Sequence, residues 1–206
     1  MGEHKKHLCP CGSGKHLRAC CGTPSSDAKL ELEEEAWRLS KEGKHREACE
    51  VFERRVALSP DNPMIWNDLG NEYAAAGELD KALLALKRAH EVFPAYPLPL
   101  YNLGKYTLDR CQELQKELQN DGPSAQARLQ ELAAEAISYF KQSLELDPDN
   151  AACHQNIAIA YALAQDAEKA RVHTMEALRL DPSLKQPLKQ LTAKATKHLA
   201  SHPPEP

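Results

Sequence analysis

The sequence predicts an all-α fold: helical hairpins stacked as a repeat array behind a short cysteine-rich head. Three observations carry this reading. Pro60 and Pro94 stand as far apart as Pro148 and Pro182, and the interval between Pro94 and Pro148 is longer. An alanine precedes each proline at one fixed offset, at Ala48, Ala82, Ala136 and Ala170. Apolar residues between these marks fall at helical spacing, as in Trp66, Leu69, Gly70 and Tyr73 followed by Leu79, Ala82, Leu83 and Leu86. Aromatic residues make up only 5% of the chain, against 42% hydrophobic residues overall, which favours packed helices over an aromatic-rich sandwich.

The head comes first. Residues 1–22 carry Lys5, Lys6, Lys15 and Arg18 against Glu3, a net charge of +3, while the remaining residues hold 22 basic and 29 acidic side chains, a net −7. A basic head precedes an acidic body, and the overall charge of −4 argues against a protein that coats nucleic acid. Cys9, Cys11, Cys20 and Cys21 crowd into this head in the pattern C-x-C-x₈-C-C. Four thiolates can enclose one tetrahedral ion at ~2.3 Å, and such a closed shell leaves no position for a catalytic water. A disulfide framework is the alternative. It would strain an adjacent Cys20–Cys21 pair and would need an oxidising compartment. His4, His7 and His16 are reserve ligands. Gly12-Ser13-Gly14 supplies a tight bend whose N–H groups can reach the sulfurs. A head this short buries too little surface to fold alone, so a bound ion would supply the stability.

The run Cys9-Pro10-Cys11-Gly12-Ser13-Gly14-Lys15, closed by Cys20-Cys21-Gly22, resembles the SEC-C motif of the SecA translocation ATPase and other bacterial proteins. The resemblance implies zinc, with iron as the alternative metal, held by Cys9, Cys11, Cys20 and Cys21. It implies a partner face formed by Lys5, Lys6, Lys15, His16 and Arg18. It also implies partners such as a SecB-like chaperone, the ribosome or secretion machinery. In SecA the last ligand is commonly His; Cys21 stands in that place here.

Residues 23–28 read as a polar linker, and residues 29–199 as the repeat array. The first unit keeps Ala36, Gly43, Ala48, Phe52 and Pro60. The second keeps Trp66, Leu69, Gly70, Tyr73, Gly77, Ala82 and Pro94. The third keeps Leu103, Gly104, Ala136, Phe140 and Pro148, and the fourth Ile157, Ala158, Tyr161, Ala170, Ala177 and Pro182. In this phase and period the chain resembles the tetratricopeptide-repeat (TPR) family. The resemblance implies about four helical hairpins in a solenoid whose first helices line a concave groove for peptide or protein. Carried over by phase, that groove would be lined by Trp37, Asn67, Asn71, Tyr101, Asn102, Lys105, Gln155 and Asn156. Only Lys105 is cationic in this set, so the basic clamp that some members use for a peptide carboxylate is not reproduced. Gln165 replaces the usual turn glycine of the fourth unit, so that turn is expected to differ slightly.

The long interval before Pro148 marks an insertion in the third unit, giving an elongated hairpin at about 105–135. Leu108, Cys111, Leu114 and Leu118 make one stripe and Leu129, Leu132 and Ala136 another, around a turn at Asn120-Asp121-Gly122-Pro123. Each helix should gain about ten residues, or ~15 Å. After Pro182, Leu184, Leu188, Leu191 and Leu199 alternate with lysines as a capping helix, and residues 200–206 should be disordered.

The expected function is a non-enzymatic cytoplasmic adaptor: a zinc module for one partner and a groove for another. No secretory leader pattern, membrane span, P-loop, HExxH or GxSxG motif is legible. RNA or ribosome binding through the zinc module is the alternative, weakened because residues 9–22 hold no Phe, Tyr or Trp for base stacking. A zinc-thiolate redox sensor is a further one.

Overall fold

The computed structural model describes residues 26–117 and 123–184, and among these it contains eight α-helices and no strand. The cysteine-rich head expected to bind metal, the C-terminal helix expected at 185–199, the 200–206 tail and the turn at 120–122 lie outside the described residues. The helices are α1 (Ser26–Lys41), α2 (His45–Leu58), α3 (Pro63–Ala75), α4 (Leu79–Val92), α5 (Pro97–Glu117), α6 (Pro123–Leu146), α7 (Ala151–Leu163) and α8 (Ala167–Leu180). A short 3-10 turn follows at Pro182–Leu184. The fold class is the all-α helical-hairpin solenoid. The chain divides into two compact units, with the boundary inside α4 after Ala85.

In the first unit α1 starts at Ser26, slightly before the expected start at 29. Pro24 is the nearest residue that cannot continue a helix, so nothing between it and Lys29 prevents the extra turn. Ala36, Ala48 and Phe52 are fully buried in a core with Leu32, Leu39, Val51, Ile65 and Leu69. Trp66 ties two of the repeat's marks together: its Nε1–H donates to the Pro60 carbonyl at 2.8 Å. Asn62 caps α3 by accepting from the Met64 N–H at 3.0 Å, and Pro63 takes the first helical position, where a missing N–H costs nothing.

The hairpin turns share one geometry. In the first, the Gly43 N–H donates to the Ser40 carbonyl at 3.0 Å and the Lys44 N–H to the Leu39 carbonyl at 2.9 Å. In the second, Gly77 reaches Ala74 at 3.0 Å and Glu78 reaches Tyr73 at 2.8 Å. These nested bonds satisfy carbonyls left over at the helix end, and they need a left-handed residue, with φ of 74° at Gly43 and 82° at Gly77. The expectation for the fourth unit is corrected here. Gln165 adopts φ 63°, and the same bonds run from Gln165 to Ala162 at 3.1 Å and from Asp166 to Tyr161 at 2.9 Å. The turn is kept, and the strain of a side chain in the left-handed region, roughly 1–2 kcal/mol, is accepted within it.

In the second unit α5 and α6 run 21 and 24 residues, against 13 and 14 in α7 and α8. Leu108, Cys111 and Leu129 are buried between them, with Leu114 and Leu132 partly buried beside this core. Gly104 lets the helices approach: a Cβ there would stand 2.7 Å from two ring carbons of the fully buried Phe140. The buried Ser143 hydroxyl donates to the Pro97 carbonyl at 3.1 Å, which ties the end of α6 to the start of α5. Asn150 caps α7 and Asp166 caps α8, each accepting from a first-turn N–H.

Candidate functional site

The expected groove residues lie on the first helix of each hairpin, and each unit presents its own set. In the first unit Trp37 of α1 is 42% exposed and packs edge-on against Phe52 at 5.8 Å, so part of the indole faces solvent on a rigid support. Asn71 of α3 is half-buried. Asn67 departs from the expectation of an open lining residue: it is buried, and its amide points to Asp68 Oδ1 at 3.5 Å. In the second unit Tyr101, Lys105, Gln155 and Asn156 are half-buried, and the Asn156 amide donates to the Tyr101 hydroxyl at 3.4 Å. Lys105 lies over the Tyr106 ring at 4.5 Å. Asn102 is buried, as Asn67 is. Repeat phase places these two amides on the right helix; helix packing then covers them, which phase alone does not reveal.

Sequence reasoning missed a polar cluster that joins three helices of the first unit. Glu72 of α3 is buried, and its carboxylate accepts from the Ser40 hydroxyl of α1 at 2.6 Å and faces His45 Nδ1 of α2 at 2.9 Å. Nearby, Arg55 of α2 pairs with Glu33 of α1 at 3.0 Å and covers the Phe52 ring at 5.3 Å. Burial pushes the Asp68 carboxyl up to about 6, and hydrogen bonding from Asn67 and the charge of Arg55 only partly offset it.

Asp68→Asn therefore gives a pH-dependent result. The folded pKa lies above the unfolded value, so the folded state holds the extra proton between about pH 4 and 6 and loses that stabilisation as pH rises. The variant should gain about 1–2 kcal/mol over the parent at pH 7, after discounting for partial exposure, and match it below pH 4. Urea unfolding at several pH values checks this; a difference that does not change with pH contradicts it.

Three thiols stand on the helices. Cys49, Cys111 and Cys153 are buried and unpaired, and burial pushes them to about 12, 11 and 11. They are inert hydrophobic fillers at neutral pH. No group of three or more His, Cys, Asp or Glu side chains suited to a metal occurs among the described residues. The head's donor set is of a different kind: four thiols close together in sequence fit a tetrahedral thiophilic ion. Cys9, Cys11, Cys20 and Cys21, with Lys5, Lys6, Lys15, His16 and Arg18, lie outside the described residues. No helix among the described residues is long and apolar enough to cross a membrane.

Comparison with known proteins agrees with this architecture. Tetratricopeptide-repeat family models match residues 63–106 and 139–172, and a SEC-C motif model matches residues 8–23. The chain is 25% identical over 159 residues to the antiviral innate immune response effector IFIT1 of Homo sapiens, covering 76% of this chain and 33% of that protein. The chain thus spans about a third of the length of that relative. A thermophilic TPR protein of Thermus thermophilus superposes with a TM-score of 0.64 at 21% identity, over 81% of this chain and 82% of that one. The first TPR of Spaghetti (RPAP3), solved with the HSP90 peptide SRMEEVD, superposes with a TM-score of 0.51 at 20% identity, over 67% and 94%. Residues 63–106 and 139–172 are therefore tetratricopeptide repeats, residues 8–23 are a SEC-C motif, and one chain joins the two.

Proposed function

We propose that the chain is a non-enzymatic cytoplasmic adaptor. Its SEC-C module docks one protein partner, a SecB-like chaperone, the ribosome or export machinery, and the repeat faces hold a peptide or a second protein. The observation that carries this is the joining of the two motif types in one chain. Repeats of this type are interaction modules, and the RPAP3 domain of like fold was solved with a peptide. The exposed indole of Trp37 and the amides of Asn71, Gln155 and Asn156 suit a peptide: the ring offers apolar area and the amides can bond a main chain without reading its sequence.

In the module, Cys9, Cys11, Cys20 and Cys21 would hold zinc, with iron as the alternative. Bound zinc supplies structure there, since four thiolates close its shell. Lys5 and Lys6 stand away from the cage in sequence and would attract an acidic partner, with Lys15, His16 and Arg18 flanking the ligands. Joining two weak sites on one chain raises the effective concentration of one partner near the other.

A second reading, RNA binding, takes its support from the likeness to IFIT1, which has been solved as a dimer with m7Gppp-AAAA. The net −7 of residues 23–206 favours the protein-binding reading.

The test is removal of residues 1–22 followed by cross-linking and partner identification in cells. The shortened chain should lose one class of protein partner and keep the rest. An unchanged partner set overturns the adaptor reading, and loss of cross-linked RNA in place of protein promotes the second one.

A further inference from the structure

The last hairpin holds a pair of imidazoles in direct contact. His154 of α7 and His173 of α8 place their Nδ1 atoms 3.1 Å apart, with ring centroids at 5.3 Å and planes 29° apart. The centroids exceed the nitrogen separation by nearly two ring radii, so the nitrogens meet almost head-on. One Nδ1–H can then donate to the other nitrogen's lone pair. Two such N–H groups cannot share the line between them.

We propose that His154 and His173 form a proton-operated latch between α7 and α8, closed while the pair shares a proton and released when both rings are charged.

The surroundings sharpen this. Tyr161 of α7 stacks against His173 at 5.6 Å, and Lys141 of α6 and Lys169 of α8 lie over the Tyr161 ring at 5.9 and 5.4 Å. The acid facing both imidazoles is Glu176 of α8, already held by Arg179 at 2.6 Å. From α5, Tyr101 brings a hydroxyl that accepts from the Asn156 amide of α7. Burial, then the His154 and Lys141 charges, keep His173 below the usual imidazole range. The folded hairpin therefore binds fewer protons than the unfolded chain once pH drops below the ordinary imidazole value of ~6.5, and its stability falls with pH from there. Contacts between charged rings titrate as a pair, in two separated steps. This holds whether or not the neighbouring Gln155 and Asn156 bind a peptide.

The experiment uses the full chain. Histidine ring signals are followed by NMR from pH 8 to 4.5, with His154→Phe and His173→Phe as assignment variants. Native-state amide exchange, corrected for intrinsic rate, is measured at pH 7.5 and 5.0. The pair should show two separated steps, and α7–α8 exchange should rise about tenfold at pH 5.0 relative to α5–α6, whose segment 97–146 contains no histidine. His173→Phe keeps a ring against Tyr161 and should abolish the rise. Independent titration of both histidines at ordinary values in the unaltered chain overturns the latch, even if the variants fail to fold. So does an equal rise in His173→Phe. Added Zn²⁺ that silences both titrations at neutral pH would replace the latch with a metal chelate.

Discussion

Alanine at position 104 lowers the stability of the second unit by about 2 kcal/mol, and valine lowers it further. The added methyl would meet Phe140 Cδ1 and Cε1 at 2.7 Å, well inside ordinary contact. Alanine's helix propensity works the other way by about 1 kcal/mol, because Gly104 sits inside α5 and has no left-handed requirement. The clash outweighs it, since Phe140 is fully buried and Tyr101 lies against it with ring centroids at 5.9 Å. The ring has no open space to swing into, so the helices must separate. Urea unfolding measures the loss. A Gly104→Ala, Phe140→Leu double variant should recover part of it, because the two changes share one contact and cannot add independently. An unchanged or raised midpoint for Gly104→Ala alone would show that the helices have slack at this crossing.

Loss of metal is the second large effect. Replacing Cys20 and Cys21 with serine should take bound zinc from about one per chain to none, because two ligands of four cannot sustain the ~10–16 kcal/mol of a structural site. The helical signal should stay nearly intact, since the helices of residues 26–184 bury their own cores around Phe52 and Phe140. Metal analysis and far-ultraviolet circular dichroism on the same samples decide it. Retained zinc would remove Cys20 and Cys21 from the ligand set. Simultaneous melting of the helices would show that head and repeats fold as one cooperative body.

How much of this was legible in the sequence depends on range. Repeat phase identified Ala48, Ala82 and Ala136, all fully buried, because small residues recur wherever two helices cross. It identified the turns at Gly43 and Gly77 through their left-handed glycines. It misjudged Gln165, because a full set of turn hydrogen bonds can hold a side chain in that conformation and composition does not report those bonds. Asn67 and Asn102 were placed on the right helices but read as open, since burial depends on what packs above them. The Ser40–His45–Glu72 cluster and the His154–His173 contact each join residues 19 to 32 positions apart. No local spacing marks such a contact. The four cysteines proposed as ligands are a local signal instead: all sit between positions 9 and 21, where spacing by itself suggests the chemistry.

The long third hairpin has an implication for where such a chain can carry added length. Gly104 and Phe140 meet in the half of α5 and α6 nearer Pro97 and Leu146, and the surplus turns lie toward the opposite end. Because both arms lengthen together, the following Pro148 and Pro182 recover the beat that Pro60 and Pro94 set. The added length is thereby taken up at the far end of this hairpin, while the Gly104–Phe140 crossing and the repeat spacing on either side are kept.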